Sequence, residues 1–311
     1  MKKIITVFLL ISFIFTAYSY AEKLTFKILA VRGEVAMQKF GSSNWTQANA
    51  GMDLFAKDKI RVSTNGYVGL SYSMGGTKEL KNPGEYNCAE LSNEMTEKRS
   101  KQYLRFSEYI IKEISNIDDL TKKNVKTGAS GAVERKLDDT ITQLSEIKSN
   151  FPVQTNISNA PIDVKWLPIA NNKKYKITLK DKKGQLNREF ISEEPSFNIN
   201  TEELKLKTNQ IYSLTIEASD VNNIHPKTSS FKLVSKEEAI LIDKELKKLQ
   251  TELGKDSNSA LGNLIVGRFY EERKLILNAL ESYKAGIQAE RGVAEYEKLY
   301  KNFLLNNQID N

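Results

Sequence analysis

Cysteine and histidine are almost absent from this chain of 311 residues, which has only Cys88 and His225. A single cysteine excludes an intrachain disulfide, so core packing alone must hold the fold together. One cysteine and one histidine also cannot supply the usual nitrogen and sulfur ligands of a zinc site. We therefore expect no metal and no cofactor. We interpret Cys88 as a partly buried, unreactive thiol and His225 as an exposed turn residue before Pro226.

The common catalytic motifs are also missing. No G-x-S-x-G accompanies His225, and neither a P-loop nor a G-x-G-x-x-G occurs. A pair of carboxylates could act as a glycosidase, but the five adjacent pairs stand beside polar or turn residues, which is typical of solvated surface. We predict that the chain is not an enzyme, with a carboxylate hydrolase as the weaker alternative. These pairs are Asp118-Asp119, Asp138-Asp139, Glu193-Glu194, Glu202-Glu203 and Glu237-Glu238.

The only long apolar run stands at the beginning of the chain. Lys2 and Lys3 precede 14 mostly apolar residues, 4–17, and the small residues Ser19 and Ala21 stand at −3 and −1 of a cut before residue 22. This pattern predicts a secretory signal peptide over residues 1–21, and hence a periplasmic or extracellular protein. The run is short for a membrane span. The alternative is an uncleaved segment that anchors the chain.

Charge gives little indication of a partner. The formal net charge of +7 falls to +5 once Lys2 and Lys3 leave with the signal peptide. Lysine and glutamate are interspersed, which is typical of a solvated surface, although weak attraction to anionic envelope polymers is an alternative. Cations and aromatics cluster over residues 98–106, but helical spacing puts Tyr103 and Phe106 on an apolar face. We therefore predict no nucleic-acid binding.

Residues 22–89 carry the pattern of a small β domain. Apolar and polar residues alternate in short segments, and glycine-rich breaks such as Asn65-Gly66 and Gly75-Gly76 separate them. Alternation with period 2 between turn signals predicts an all-β sandwich or barrel.

The same residues contain several spaced motifs in a fixed order. They are Val31-x-Gly33-x-Val35, Gly51-x-x-Leu54, Asp58-x-Ile60-x-Val62-x-Thr64-x-Gly66, the segment 68–72 and the Gly76 turn. In these motifs the region resembles the FecR domain, an exported β fold of bacterial envelope regulators. That resemblance implies a periplasmic binding or signalling module with a protein or cell-wall partner.

Residues 90–150 change to helical periodicity, and we predict a helical connector. A first helix places its apolar residues on one face. Lys126 to Gly131 break the pattern, which predicts a flexible joint. A second, weaker helix is expected over residues 138–149. The apolar faces comprise Tyr103, Phe106, Ile110, Ile111 and Ile114 in the first helix, and Ile141, Leu144 and Ile147 in the second.

Residues 151–235 return to strands. The clearest is Tyr212-x-Leu214-x-Ile216-x-Ala218, and Val164-x-Trp166-x-Pro168 stands near the start. Strands at this spacing predict an antiparallel sandwich. The pattern resembles a fibronectin type III or related immunoglobulin-like domain. The resemblance implies that Trp166 is buried in the core and that Tyr212 is a corner tyrosine.

Residues 236–311 are predicted to be helical, with Gly254 ending the first helix. Residues 260–290 resemble one tetratricopeptide repeat, a helical hairpin, although Lys274 and Arg291 replace the usual turn glycine and closing proline. A truncated second repeat is expected to follow. The matching positions are Val266-Gly267, Tyr270, Ala279, Tyr283 and Gly286, then Tyr296, Leu299, Tyr300 and Phe303.

Together these patterns predict a multidomain α+β protein. It comprises an all-β FecR-like N-terminal domain, an immunoglobulin-like β-sandwich and C-terminal α-helical hairpin repeats. The predicted function is that of a non-catalytic, exported FecR-domain protein that acts as an envelope binding or signalling module. The alternative is a scaffold associated with the peptidoglycan of the cell wall, with no signalling role. No catalytic, cofactor-binding or metal-binding residue is predicted.

Overall fold

A computed structural model describes residues 24–95, 99–126, 145–158 and 161–310 as a mixed α+β fold. Three of the predicted segments lie wholly or mostly outside these residues. They are the signal peptide at 1–21, the glycine- and serine-containing joint at 126–131, and most of the second connector helix at 138–149. Among the described residues, no helix combines the length and the apolar character needed to span a membrane.

Residues 24–87 form eight strands in two four-stranded sheets. The sheet orders are β4-β1-β6-β7 and β3-β2-β5-β8, so the predicted strands are present while the barrel alternative is wrong for this region. Apolar side chains of both sheets meet in one core. The strands are β1 Leu24–Arg32, β2 Val35–Gln38, β3 Thr46–Gln47, β4 Asp53–Phe55, β5 Lys59–Val62, β6 Tyr67–Tyr72, β7 Thr77–Leu80 and β8 Gly84–Asn87.

Two glycines let the turns of this first β unit approach each other. Gly33 has a φ of +70°, and a Cβ atom there would lie 2.5 Å from the carbonyl oxygen of Asn65. A Cβ atom at Gly66 would lie 2.8 Å from the carbonyl oxygen of Glu34. Because both obstacles are backbone atoms that cannot move aside, only glycine fits at these two turns.

The helix predicted from Tyr103 to Ile114 is present. It follows the short helix α1, Cys88–Asn93, and runs over α2, Lys101–Lys126. Tyr103, Phe106, Ile110 and Ile114 are all buried. Their side chains join the core of the C-terminal helices, so α2 belongs to the helical layer.

The predicted second connector helix is wrong where its end is described. Ser145–Glu146 is a short strand, β9, that pairs in parallel with Ile224–His225, β16. Ile147 is buried in a β core. A short run with apolar residues three apart cannot distinguish a helix from a strand, and here pairing with a distant strand decides the conformation.

A second β unit follows, as the alternation predicted, but its large sheet is not wholly antiparallel, because β10 (Gln154–Ile157) pairs in parallel with β17 (Lys227–Leu233). A five-stranded sheet of order β10-β17-β15-β12-β13 and the pair β11-β14 share one core. Trp166 is buried, as expected. Tyr212 is also buried, and its hydroxyl accepts a 2.7 Å hydrogen bond from the Lys207 N–H, which is the expected corner geometry. The strands are β10 Gln154–Ile157, β11 Ile162–Lys165, β12 Tyr175–Asp181, β13 Asn187–Ser192, β14 Ser196–Ile199, β15 Ile211–Ala218 and β17 Lys227–Leu233.

The C-terminal region is helical, and Gly254 ends its first helix as predicted. The next two helices form a tight hairpin because Gly267 leaves room for the ring of Tyr283. Lys274 takes a φ of +58° between them, a left-handed conformation that glycine adopts most easily. The elements are α3 Lys236–Leu253, a 3₁₀ turn over Gly254–Asn258, α4 Ala260–Glu272, α5 Ile276–Ala289 and α6 Ala294–Asn307.

The helical layer packs directly on the first β unit. Leu29 and Ala30 of β1 and Tyr67 of β6 belong to the same buried cluster as the side chains of α2 and of α3 to α6. The Tyr67 and Tyr296 hydroxyls lie 2.9 Å apart across this junction. The outer sheet β3-β2-β5-β8 contributes no residue to that cluster.

Candidate functional site

A groove of about 570 Å³ lies on the outer sheet of the first β unit. It is open to solvent and lies among strands β2, β3 and β5. Such a volume is within the range of ligand-binding pockets in proteins. The lining residues are Gly33, Glu34, Val35, Ala36, Trp45, Thr46, Gln47, Arg61 and Ser63.

Strand alternation explains which side chains reach this groove. In β2, Val35 and Met37 are buried, so Ala36 between them faces outward. In β5, Ile60 and Val62 are buried, so Arg61 faces outward in the same way. A period of two along each strand thus places the apolar residues in the core and the others on the outer face.

Strand register then aligns four of the outward residues in one row. Gln47 of β3 is opposite Ala36, Ala36 is opposite Arg61, and Arg61 is opposite Glu85 of β8. Directly opposed residues of antiparallel strands share a face of the sheet. Because alanine has the smallest side chain in the row, a hollow forms over β2 between Gln47 and Arg61.

An aromatic side chain borders the hollow. Trp45 immediately precedes β3, and its partly exposed ring lies 3.9 Å from the guanidinium carbon of Arg61. The Arg61 Nε and Nη2 atoms donate hydrogen bonds of 3.0 Å and 2.5 Å to the Oε1 atom of Glu85. A guanidinium held on one side by a carboxylate and on another by an aromatic face has a restricted orientation. The stacked side chains of Arg61 and Trp45 therefore have a fixed arrangement before any ligand binds.

This pair contributes little to fold stability. The Arg61 and Glu85 side chains are 46% and 51% exposed, and exposed ion pairs contribute about 0–1 kcal/mol. Arg61 Nη1 donates no hydrogen bond to any residue within the described ranges. The arrangement thus leaves a hydrogen-bond donor and an aromatic ring accessible in one groove.

Strand register was the part of this site that sequence reasoning missed. Trp45 is an aromatic residue in a glycine-rich stretch, but nothing in the nearby sequence connects it with Ala36 or Arg61. The alternation of β2 and β5 does indicate that Ala36 and Arg61 face outward. Their alignment with Gln47 and Glu85 depends on pairing between strands that are far apart in sequence.

A second polar cluster lies at the junction of the first β unit and the helices. Glu79 of β7 accepts a 2.5 Å hydrogen bond from the Leu261 N–H in the first turn of α4. Burial raises the pKa of the Glu79 carboxyl, while that N–H, the Ser259 hydroxyl and Lys81 act in the opposite direction. The cluster is enclosed by packed side chains, so it acts as a structural junction.

The two rare residues lie outside both clusters. Cys88 is fully buried, where a partly buried thiol was expected, and burial raises the pKa of its thiol to about 12, which leaves it protonated and unreactive at neutral pH. His225 is exposed, as expected, but its placement in a turn is wrong. It lies in β16 and its carbonyl accepts a hydrogen bond from Ile147 N–H, because the loop pairs with β9.

The described carboxylate pairs do not form a shared site. Glu193-Glu194 and Glu202-Glu203 are exposed, and the Asn200 side chain accepts hydrogen bonds from the backbone N–H groups of Glu202 and Glu203. Glu237-Glu238 lies in the first turn of α3, a favourable position for acidic residues. Asp138-Asp139 lies outside the described residues. Within the described ranges, no group of three or more histidine, cysteine, aspartate or glutamate side chains could hold a metal ion.

Comparison with known proteins adds no assignment. No protein-family model matches the chain, and a search of the curated proteins finds no match.

Proposed function

We propose that the chain is an exported, non-catalytic FecR-domain protein that binds a component of the bacterial cell envelope. The proposal rests on the groove above Ala36, where an accessible tryptophan and a restrained arginine lie together on a rigid sheet. A site on a sheet is held more precisely than a site on loops. The outer sheet also lies away from the helical junction, so a large partner can approach it.

The domain assignment is part of this proposal. Residues 22–89 are the FecR-like domain, 90–150 the helical connector, 151–235 the immunoglobulin-like sandwich and 236–311 the tetratricopeptide-like region. The second unit supports its assignment through the buried Trp166 and the hydrogen bond of Tyr212. The tetratricopeptide-like assignment of the helical region is supported by the Gly267–Tyr283 contact and by the conformation of Lys274.

Two partners are possible for such a module. One is an envelope protein, in which case binding serves signalling through protein–protein contact. The other is peptidoglycan, in which case the chain is a wall-associated scaffold with no signalling role. The groove favours the second, because Trp45, Gln47 and Arg61 combine an aromatic ring with planar hydrogen-bonding groups.

The test is retention of the purified, tagged chain on two envelope fractions. Membranes and purified peptidoglycan are incubated separately with the wild type, Trp45→Ala and Phe40→Ala. Phe40 is the matched control because it is an aromatic residue of the same β unit, 63% exposed, that does not line the groove. We expect Trp45→Ala to lose retention and Phe40→Ala to keep it. Equal retention of all three proteins on both fractions would show that the groove is not the binding site.

Processing of the N-terminus is checked separately. Mass spectrometry of the exported chain is expected to show a first residue of Glu22, as the signal peptide predicts. A chain that retains Met1 to Ala21 would instead be anchored, which would favour a role in transmembrane signalling.

A further inference from the structure

The shape and the lining residues of the groove above Ala36 indicate which class of ligand it can bind. Its floor is the methyl side chain of Ala36, and Gln47 and Arg61 stand on either side of that floor. The hollow is open to solvent, and Ser63 and Glu34 are among its other lining residues. An open trough suits a segment of a linear polymer better than a small molecule that must be enclosed.

The aromatic component favours a ligand that presents C–H groups. The π-electron face of an indole is negative and attracts the positive edges of C–H bonds. The Arg61 guanidinium carbon lies 3.9 Å from the centroid of the Trp45 ring and covers one face of it, so a ligand can contact only the part of the indole that Arg61 leaves uncovered. A pyranose ring presents C–H groups on its face and hydroxyl groups around its edge, and so can contact Trp45 and the polar residues together.

The polar component matches hydroxyl and amide groups. The Gln47 amide both donates and accepts hydrogen bonds, as does the Ser63 hydroxyl, while Glu34 accepts and Arg61 donates. Sugar hydroxyls can also do both. Neighbouring donors and acceptors along the groove are therefore suited to neighbouring hydroxyls along a glycan.

The charges disfavour an acidic ligand. The charged residues that line the groove are Glu34 and Arg61, so the lining carries no net charge. Two of the hydrogen-bond donors of Arg61 are already directed to Glu85. A lining without net charge favours an uncharged ligand over a strongly anionic polymer.

We propose that the groove formed by Trp45, Ala36, Gln47 and Arg61 binds an uncharged stretch of glycan, with a sugar ring against the part of the indole that Arg61 leaves uncovered. The inference rests on the proposed envelope-binding function and names the ligand of that same site. In peptidoglycan the lactyl carboxyl of the glycan strand is uncharged where it is amide-bonded to a peptide, so this stretch is an accessible uncharged target.

The test is isothermal titration with two glycan probes of equal length. The uncharged probe is the tetramer of β-1,4-linked N-acetylglucosamine, and the acidic probe is a tetramer of uronic acid. We expect the uncharged probe to bind the wild type, with little dependence on salt. Trp45→Ala and Ala36→Leu should each weaken binding by about tenfold or more, the first by removing the aromatic contact and the second by filling the hollow. Phe40→Ala should bind as the wild type does.

Thermal melting of each variant shows that any loss of binding is not a loss of folding. Ala36 faces solvent, so Ala36→Leu is expected to melt within a few degrees of the wild type. Stronger binding of the acidic probe, no binding of the uncharged probe, or unchanged binding to Ala36→Leu would each overturn the inference. If no sugar binds but Trp45→Ala still loses retention on membranes, the envelope-binding function stands and its partner is a protein.

Discussion

The junction between the first β unit and the helices provides a quantitative test of the fold. Glu79 at the edge strand β7 accepts a hydrogen bond from the Leu261 N–H, one of the first N–H groups of α4. The first four N–H groups of a helix have no partner within the helix. The substitution Glu79→Ala removes the acceptor and leaves the Leu261 N–H unsatisfied at the buried junction.

The expected cost follows from that geometry. A hydrogen bond to a charged group contributes about 1.5–3 kcal/mol, and part of this is the favourable position of an anion at a helix N-terminus. We therefore expect Glu79→Ala to lower the free energy of unfolding by about 2–3 kcal/mol. At about 2–4 °C per kcal/mol, the melting temperature should fall by about 4–12 °C. Glu79→Gln keeps an acceptor oxygen without the charge and should stay within about 1 kcal/mol of the wild type at neutral pH.

The pH dependence separates the charge from the hydrogen bond. Burial raises the pKa of the Glu79 carboxyl, so the folded state binds its proton more readily than the unfolded state does. The contribution of this raised pKa to the free energy of unfolding is therefore complete below the unfolded pKa of about 4.3, and it is lost as the pH rises through the higher folded pKa. Relative to Glu79→Gln, the wild type should become more stable as the pH falls from 7 to 5.

Urea unfolding at several pH values measures this difference directly, because carboxylates elsewhere contribute equally to both proteins and cancel. A difference between wild type and Glu79→Gln that does not change with pH, or that grows as the pH rises, would refute the reasoning about burial. A melting temperature of Glu79→Ala equal to that of the wild type would show that the hydrogen bond between Glu79 and Leu261 does not stabilise the junction.

Three further predictions concern packing and reactivity. Gly267→Ala gains about 1 kcal/mol of helix propensity, but its new Cβ would lie 2.7 Å from the buried ring of Tyr283. Since overpacking costs about 1–3 kcal/mol, urea unfolding should show a net loss, and a more stable variant would contradict this contact. Tyr212→Phe leaves the Lys207 N–H without its acceptor and should lose about 1–2 kcal/mol in the same assay, whereas no loss would argue against the corner geometry. Cys88 should resist iodoacetamide at pH 8 in the folded chain and react fully in urea, because burial raises its pKa to about 12; rapid labelling of the folded chain would disprove its burial.

The sequence predicted those strands and helices that carry a long and regular pattern of apolar residues. The alternation in β15 and the helical face from Tyr103 to Ile114 are long enough to identify a strand and a helix. Trp166 and Tyr212 took their expected places because large aromatic residues at those positions have few alternatives to the core. Lys274 adopts a left-handed conformation although it is not glycine, because the turn between α4 and α5 requires a positive φ at this position.

Pairing between distant segments was beyond sequence reasoning. Ser145–Glu146 became a strand because Ile224–His225 lies beside it, and neither segment carries a signal for the other. The docking of α2 on the same core as Tyr67 likewise depends on the chain's path in space. The groove is the clearest case, because the row from Gln47 to Glu85 exists only in the register of four strands.

The most direct test of the proposed binding site uses the two tryptophans of the chain. Trp45 borders the groove, whereas Trp166 is 5% exposed in the second β unit and serves as an internal control. A ¹⁵N-labelled sample gives one indole N–H signal for each, which Trp45→Phe assigns. On titration with the uncharged N-acetylglucosamine tetramer, the Trp45 signal should shift to saturation while the Trp166 signal stays in place. A Trp45 signal that does not move at saturating sugar would contradict the proposed glycan site.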